Sequence, residues 1–342
     1  MRKYQHILDM DLNTLELIIK KSIEYVEKEL DLVFQGGEPT LKGLSFYKKA
    51  VELVNKYNYK KIKVTYNLQT NGILINEEWC KFLKENNFLV GLSIDGPKYI
   101  NDINRVDYEN NSTFDYVLNT IKLFKKYSID FNVLLVVTNA NTLKAKECYN
   151  YLKSIGVEYF QISPAINPIC TKYSDNDYFL DKGNLFIFLK DLFDAWIIDF
   201  IDGNEMRVTY FENIIMKMLK KPVGLCSMNG LCSIENVIEA DGEVYPCDFY
   251  CDDNYSLGNI KDKSFKEIIF SSRAEKFINE SYKINSDCRM CPYFGLCLGA
   301  CKRYKLQDKN NYQNYYCEDY KKFFNYSYKN FVYLASLYKN II

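Results

Sequence analysis

Cysteine is the residue type that points most directly to chemistry, because nine of the twelve cysteines of this 342-residue chain lie after residue 225. The nine are Cys226, Cys232, Cys247, Cys251, Cys288, Cys291, Cys297, Cys301 and Cys317. Residues 288–301 form the pattern C-x2-C-x5-C-x3-C. A 4Fe–4S cluster takes four thiolates, so the set could hold two clusters with one cysteine left over. Zinc is the rival metal, but the five-residue middle spacing favours iron–sulfur clusters.

A second candidate site lies in the stretch FQGGEPTL, residues 34–41. Two successive glycines let a backbone approach a ligand closely, and Glu38 beside exposed backbone groups could hold an amino group. The stretches LQTNG (68–72) and LSIDGP (92–97) also carry polar and glycine residues after apolar runs.

Strands and helices alternate through the first half of the chain, which predicts an α/β fold with parallel strands and helices outside them. The predicted strands are 30–37, 61–72, 88–97, 130–139 and 157–165. The predicted helices are 13–30, 43–58, 75–86, 112–127 and 142–154, followed by 174–203 and 209–221. In barrels of this kind the chemistry lies at the carboxyl ends of the strands, and all three polar stretches fall there.

Composition limits the partners. The 44 basic and 44 acidic side chains give zero net charge, which argues against nucleic acid or an anionic membrane, since both favour a basic surface. No secretory signal opens the sequence, and no apolar run approaches the ~20 residues of a membrane span. We expect a cytoplasmic protein, whose cysteines serve as metal ligands or redox groups rather than in disulfides.

Together these motifs resemble the radical S-adenosylmethionine (SAM) superfamily with its cysteine-rich SPASM extension, and within it the anaerobic sulfatase-maturating enzymes. GGEP, LQTNG and SIDGP occur in order at successive strand ends, and CSMNGLC (226–232) and DGEVYPCDFY (241–250) resemble that subfamily. The resemblance implies an incomplete (β/α)6 barrel over 1–170, connecting helices over 171–222 and a SPASM domain over 223–342.

The resemblance also implies the residues that bind each cofactor. SAM would be bound by Gln35, Gly36, Gly37 and Glu38 at its methionyl end, by Ser93 and Arg105 at its carboxylate or ribose, and by Ile166 near its adenine. Auxiliary cluster I, a 4Fe–4S cluster, would be held by Cys226, Cys232, Cys247 and Cys301. Auxiliary cluster II, also 4Fe–4S, would be held by Cys288, Cys291, Cys297 and Cys317. Cys251 would be a spare thiol or an alternative ligand.

Asp248 is the candidate general base. It directly follows Cys247 and precedes Phe249 and Tyr250. Beside a cluster and two aromatic rings we expect it to be partly desolvated, a setting that suits proton removal, and the resemblance implies that it deprotonates the target residue. The alternative is a carboxylate that only accepts backbone hydrogen bonds in a turn.

The sequence contains no C-x3-C-x2-C triad, which in this superfamily binds the third 4Fe–4S cluster, the one that cleaves SAM. Cys80, Cys148 and Cys170 are too far apart to form it. Because a family barrel has six strands and five are predicted, we expect the first strand and its cluster loop, about 30 residues, to be missing through a late start or truncation. The alternative is a degenerate relative that keeps its auxiliary clusters but cannot cleave SAM. In either case the chain as written should not cleave SAM.

The implied function is radical oxidation of a cysteine or serine of a sulfatase to Cα-formylglycine. The implied partners are a sulfatase polypeptide or peptide as substrate and a flavodoxin- or ferredoxin-type electron donor. One alternative is a radical SAM/SPASM maturase that crosslinks a ribosomal peptide. The other is a non-catalytic iron–sulfur protein that binds peptide or transfers electrons.

Overall fold

The computed structural model describes residues 9–168, 178–305 and 312–339. In this part, six strands form one sheet in chain order, with parallel pairing of the first three strands and of the last three. They are β1 Glu29–Phe34, β2 Lys63–Thr70, β3 Phe88–Ser93, β4 Phe131–Val137, β5 Tyr159–Pro164 and β6 Arg207–Val208. A separate antiparallel sheet contains β7 Val237–Ile238, β8 Glu243–Tyr245 and β9 Gly258–Asn259.

Helices follow most strands of the parallel sheet, as the alternation in the sequence predicts. In the first half they are α1 Leu12–Tyr25, α2 Leu44–Tyr57, α3 Glu77–Glu85, α4 Lys98–Asn101, α5 Phe114–Lys126 and α6 Ala145–Ser154. In the second half they are α7 Asn184–Ile201, α8 Thr209–Met218, α9 Phe265–Ile269, α10 Ser272–Ser281, α11 Phe294–Cys297, α12 Lys302–Lys305 and α13 Cys317–Lys339. None of the described helices is long and apolar enough to cross a membrane.

All five predicted strands are present, but each is shorter than predicted because the glycine and polar residues at its end belong to the following loop. The count of five strands was wrong, so the number of strands does not support a missing first strand. Arg207–Val208 pairs with Tyr159–Phe160 as a sixth strand, and two residues between two helices are too few for an alternating pattern to reveal. Asn76 caps the N-terminus of α3, since its side chain accepts a hydrogen bond from Trp79 N at 3.0 Å. Cys170 and the start of the predicted helix 174–203 lie outside the described residues.

The chain divides into two compact units. The first unit contains the residues up to Ser93 together with Asp115–Phe131 and Ser233–Asn279. Its core includes a buried cluster in which Ile18 of α1 packs with Val244 and Ile260. The sequence on either side of Asp248 is therefore anchored on α1 within the first unit.

The second unit contains Ile94–Phe114, Asn132–Cys232 and the residues from Glu280 onward. Its core joins α7, α8 and α13 through aromatic rings: Phe193 and Phe331 have centroids 4.9 Å apart, and Trp196 and Phe211 have centroids 5.1 Å apart. Burial of such large rings contributes strongly to stability. This core fixes α13, whose first residue is Cys317. The domain limits at 170 and 222 stay a prediction.

Candidate cofactor sites

The FQGGEPTL loop leaves the carboxyl end of β1, as predicted. Gly36 and Gly37 have φ angles of +91° and +55°, in the left-handed region that favours glycine. A Cβ at either position would meet nothing within 4 Å, so backbone conformation rather than lack of space requires glycine. Gln35 and both glycines are exposed, which leaves this backbone accessible to a ligand.

Glu38 connects the loop to the end of β2 through hydrogen bonds. Its Oε1 accepts hydrogen bonds from Thr40 N at 3.0 Å, Thr40 Oγ1 at 2.5 Å and Thr70 Oγ1 at 2.7 Å. Its Oε2 accepts one from Asn71 N at 2.7 Å. A carboxylate offers about four lone-pair positions, so little accepting capacity remains, all of it on Oε2. Glu38 is therefore first a positioning residue for the ends of β1 and β2, and its contact with SAM stays a prediction.

Ser93 ends β3 and is linked to the neighbouring strand. Its hydroxyl accepts a hydrogen bond from Gln69 Nε2 of β2 at 3.2 Å, and both side chains are partly buried. The carboxyl ends of β1, β2 and β3 in the first unit are thus lined by hydrogen-bonded polar side chains, where the sequence predicts the SAM site.

Arg105 is held by a carboxylate that the sequence analysis did not select. Its Nε and Nη2 donate to Asp95 Oδ2 and Oδ1 at 2.7 and 2.9 Å. Asp95 is 3 % exposed and also accepts a hydrogen bond from Val136 N at 2.8 Å. Planar bidentate pairing of this kind fixes an arginine firmly. Any contact between Arg105 and SAM must use the N–H groups outside this pair. The position of Asp95 inside LSIDGP is the signal that could have found it.

Ile166 lies just beyond β5 and is partly buried. The preceding residue extends the sheet, because Ala165 N donates to Val137 O at 2.8 Å. Ile166 therefore stands at the carboxyl end of a parallel strand, where an adenine contact was predicted. That contact stays a prediction.

Four of the predicted cluster ligands surround one pocket of the second unit, with an empty volume of about 490 Å³ including its opening to solvent. Its lining contains Cys288, Cys291, Cys297 and Cys317 with Tyr293, Phe294, Tyr320, Lys321 and Phe324. Burial above all raises the pKa of Cys297 to about 11, and interaction with the other three cysteines adds to the effect. The side chains expected around cluster II are thus brought together.

A second set of thiols lies in the same unit. Burial raises the pKa of Cys301 to about 12, and its electrostatic interaction with Cys232 and Cys226 adds to this effect. Cys232 N donates a hydrogen bond to Ser281 Oγ at 3.0 Å. Three of the four residues expected around cluster I are therefore brought together. The fourth, Cys247, belongs to the first unit.

The donor chemistry of these sets fits iron–sulfur clusters, which take four cysteine thiolates each. No three His, Cys, Asp or Glu side chains of the described residues converge tightly enough to hold a single ion. A four-iron cluster does not require such convergence, because each thiolate binds a different iron.

The short segment between Cys297 and Cys301 has an unusual backbone. Leu298, Gly299 and Ala300 have φ angles of +48°, +82° and +58°, although a left-handed conformation costs a non-glycine residue roughly 1–2 kcal/mol. A Cβ on Gly230 of CSMNGLC would lie 2.6 Å from Leu298 Cβ. Close packing of this glycine on the left-handed segment explains why the NG turn precedes Cys232.

Three buried basic residues follow Cys301 directly: Lys302, Arg303 and Lys305 are 5, 3 and 4 % exposed. The ammonium of Lys302 lies 2.9 Å from Glu280 Oε2, and that of Lys305 donates to Ser281 O at 3.0 Å. Burial lowers the pKa of Lys305, and its interaction with nearby cysteines opposes this shift. These three residues are not among those predicted from the sequence, although the CKRYK run at a predicted metal ligand is a visible signal.

Asp248 does not have the environment that the sequence predicts. Its side chain is exposed, and Phe249 beside it is 43 % exposed. The prediction that the Asp248 carboxylate is partly desolvated was wrong, because only Tyr250 of this 3-10 turn packs inward, at 1 % exposure. Asp248 Oδ1 accepts hydrogen bonds from Phe249 N at 2.8 Å and from Cys247 Sγ at 3.2 Å.

Cys251 is partly buried, with its Sγ 3.8 Å from Cys247 O.

Comparison with known proteins shows the family of the chain. The profile of the radical SAM superfamily matches residues 5–162, and that of the iron–sulfur cluster-binding domain SPASM matches residues 231–292. The cysteine-type anaerobic sulfatase-maturating enzyme of Clostridium perfringens is 41 % identical over 324 residues, which is 94 % of this chain and 88 % of that protein. The serine-type enzyme of Bacteroides thetaiotaomicron is 30 % identical over 331 residues, 90 % of this chain and 79 % of that protein.

A solved structure has the same fold. Native anSMEcpe with bound AdoMet and Kp18Cys peptide superposes with a TM-score of 0.93 at 40 % identity, covering 96 % of this chain and 91 % of that one. Sequence identity, coverage and fold therefore agree, and the chain belongs to the anaerobic sulfatase-maturating enzymes of the radical SAM superfamily.

Proposed function

We propose that this protein oxidises a cysteine of a sulfatase to Cα-formylglycine. The observation that carries the choice of cysteine is the higher identity to relatives named cysteine-type, 41 and 39 %, than to those named serine-type, 30 %. Two structures of a relative at 40 % identity also contain peptides whose names end in Cys. An enzyme of this kind is an oxidoreductase whose cofactors carry the radical chemistry.

The chain's own residues bind and orient the cofactors in this proposal. The exposed backbone of 35–37 and the remaining accepting capacity of Glu38 hold the amino end of SAM. Ser93 and the outer N–H groups of Arg105 hold its carboxylate or ribose, and Ile166 packs near its adenine. When bound, SAM and the clusters supply the hydrogen-abstracting radical and the electron acceptor.

Asp248 removes the proton of the substrate thiol. The Cβ of the substrate cysteine loses a hydrogen atom, its sulfur loses a proton to the Asp248 carboxylate, and one electron leaves. The C–S bond thereby becomes a double bond, and water then replaces sulfur to give the aldehyde and hydrogen sulfide. An exposed carboxylate can act in this way once the substrate peptide covers it, because the peptide then excludes water from the proton transfer.

Auxiliary clusters I and II take the ligands that the resemblance implies, four cysteines each. Cys226, Cys232 and Cys301 with Cys247 hold the first, and the four thiols around the 490 Å³ pocket hold the second. The triad C-x3-C-x2-C does not occur in residues 1–342. We therefore expect the polypeptide of residues 1–342 to bind SAM without cleaving it. The electron donor of the proposed reaction is a flavodoxin- or ferredoxin-type protein.

The test compares the protein purified anaerobically from its own host with the polypeptide of residues 1–342. Each is incubated with SAM, a reductant and matched sulfatase peptides that differ only in cysteine or serine at the target position. We expect the host protein to produce an aldehyde, trapped with a hydrazine and located by mass spectrometry, faster in the cysteine peptide. An intramolecular crosslink without aldehyde would instead assign the protein to the ribosomal-peptide maturases. No change in either peptide, with all clusters present, would refute the proposal.

A further inference from the structure

Lys305 is a buried cation that the proposed reaction leaves unexplained. It is 4 % exposed, and its ammonium donates a hydrogen bond to a neutral acceptor, Ser281 O, at 3.0 Å. Within the residues that the structure describes, no carboxylate pairs with it. Lys302, three residues earlier, differs because Glu280 lies 2.9 Å from its ammonium.

Two observations place Lys305 near both sets of cysteines. It interacts electrostatically with Cys232 and Cys301 of one set and with Cys288 and Cys297 of the other. A Cβ on Gly299 would lie 3.4 Å from its Nζ, so the ammonium rests against the left-handed segment that joins the two sets. Burying a cation without anionic partners is strongly unfavourable. Among the described residues, the two cysteine sets are the groups near Lys305 that would supply negative charge once they bind clusters.

We propose that Lys305 is the shared counter-cation of auxiliary clusters I and II and that it raises the reduction potential of both. This inference rests on the proposed function only in taking the two sites to hold 4Fe–4S clusters. A cluster with four thiolates carries net negative charge, and reduction adds one more. A fixed positive charge therefore stabilises the reduced form more than the oxidised form. Lys305 makes it easier for either cluster to accept the electron that leaves the substrate.

Two other lysines near the sites are poorer candidates. Lys302 is neutralised by Glu280. Lys321 lines the pocket, but its side chain is 38 % exposed and paired with Glu318 at 2.9 Å, so solvent and salt screen its charge. Lys321 therefore provides a matched control: a lysine beside one of the clusters that is neither buried nor shared.

The test is a potentiometric titration of the cluster-loaded protein without substrate, followed by electron paramagnetic resonance of the reduced clusters. The variants are Lys305→Gln, which can still donate to Ser281 O, Lys305→Arg, which keeps the charge, and Lys321→Gln. At a fixed potential we expect Lys305→Gln to lower the ratio of reduced to oxidised cluster about tenfold at both sites, or 59 mV for one electron. Lys305→Arg should match the parent, and Lys321→Gln should shift cluster II alone and by less.

Iron and sulfide contents distinguish electrostatics from packing. Unchanged potentials in a fully loaded Lys305→Gln protein would refute the inference, as would equal loss of iron from Lys305→Gln and Lys305→Arg. Loss of iron from Lys305→Gln alone would support it. The shift is measured without turnover. Failure to form formylglycine would therefore refute the proposed function and leave the inference on Lys305 standing.

Discussion

Replacement of Glu38 by glutamine tests whether this residue positions the SAM loop. Each carboxylate oxygen accepts a backbone N–H: Oε1 from Thr40 at 3.0 Å and Oε2 from Asn71 at 2.7 Å. Glutamine has one oxygen, so in either orientation its amide N–H2 faces one of these backbone donors. An unsatisfied buried donor costs about 1–3 kcal/mol, and hydrogen bonds to a charged acceptor are stronger than neutral ones. We expect Glu38→Gln to lower the free energy of unfolding by about 3 kcal/mol.

The assay is urea unfolding followed by fluorescence, with hydrogen–deuterium exchange at Thr40 and Asn71 to locate the effect. Glu78→Gln is the matched control, since Glu78 lies 2.9 Å from Lys48 Nζ with its side chain 68 % exposed, and such pairs contribute little. A loss below about 0.5 kcal/mol, the range of ordinary surface substitutions, would refute the positioning role. Unchanged stability with abolished SAM binding would instead assign Glu38 to direct contact with SAM.

Three further predictions follow from particular contacts. Asp95→Asn breaks the buried pair with Arg105 and should cost about 3 kcal/mol of unfolding free energy, whereas Asp102→Asn, in a more exposed pair with Lys98 at 3.1 Å, should cost under about 1 kcal/mol. Gly299→Ala at φ +82° would put Cβ 2.9 Å from Ile284 Cγ2 and should cost about 2 kcal/mol. Gly295→Ala, with nothing within 4 Å, should be neutral in the same thermal and urea unfolding. Asp248→Asn should slow aldehyde formation about a hundredfold with unchanged unfolding, and equal rates would reject Asp248 as the base.

The sequence predicts the parallel strands and the polar residues at their carboxyl ends well, because an apolar run followed by glycine and polar residues is a local signal. The two cysteine sets can also be predicted, since the spacing of the cysteines is read directly from the sequence. The sixth strand, Arg207–Val208, is different: two residues carry no periodicity, and only the edge of β5 makes them a strand.

Side-chain partners and solvent exposure are much harder to predict, because they depend on residues distant in the chain. The exposure of Asp248 follows from how its turn is oriented on the first unit, which neighbouring aromatic residues do not determine. The contacts of Asp95 and Lys305 are hard to predict for the same reason. Asp95 binds Arg105 and Val136, and Lys305 binds Ser281, whereas the LSIDGP and CKRYK stretches only mark where the two residues lie in the chain.

The left-handed segment Leu298–Ala300 has a consequence for cofactor loading. In the proposed ligand sets, Cys297 belongs to one cluster and Cys301 to the other, so three residues that are costly to order connect the two sites. Once the first cluster forms, the segment is already ordered, and the second cluster forms without that entropic cost. Loading should therefore be cooperative: at limiting iron, the protein should divide into empty and doubly loaded molecules, with few that hold a single auxiliary cluster.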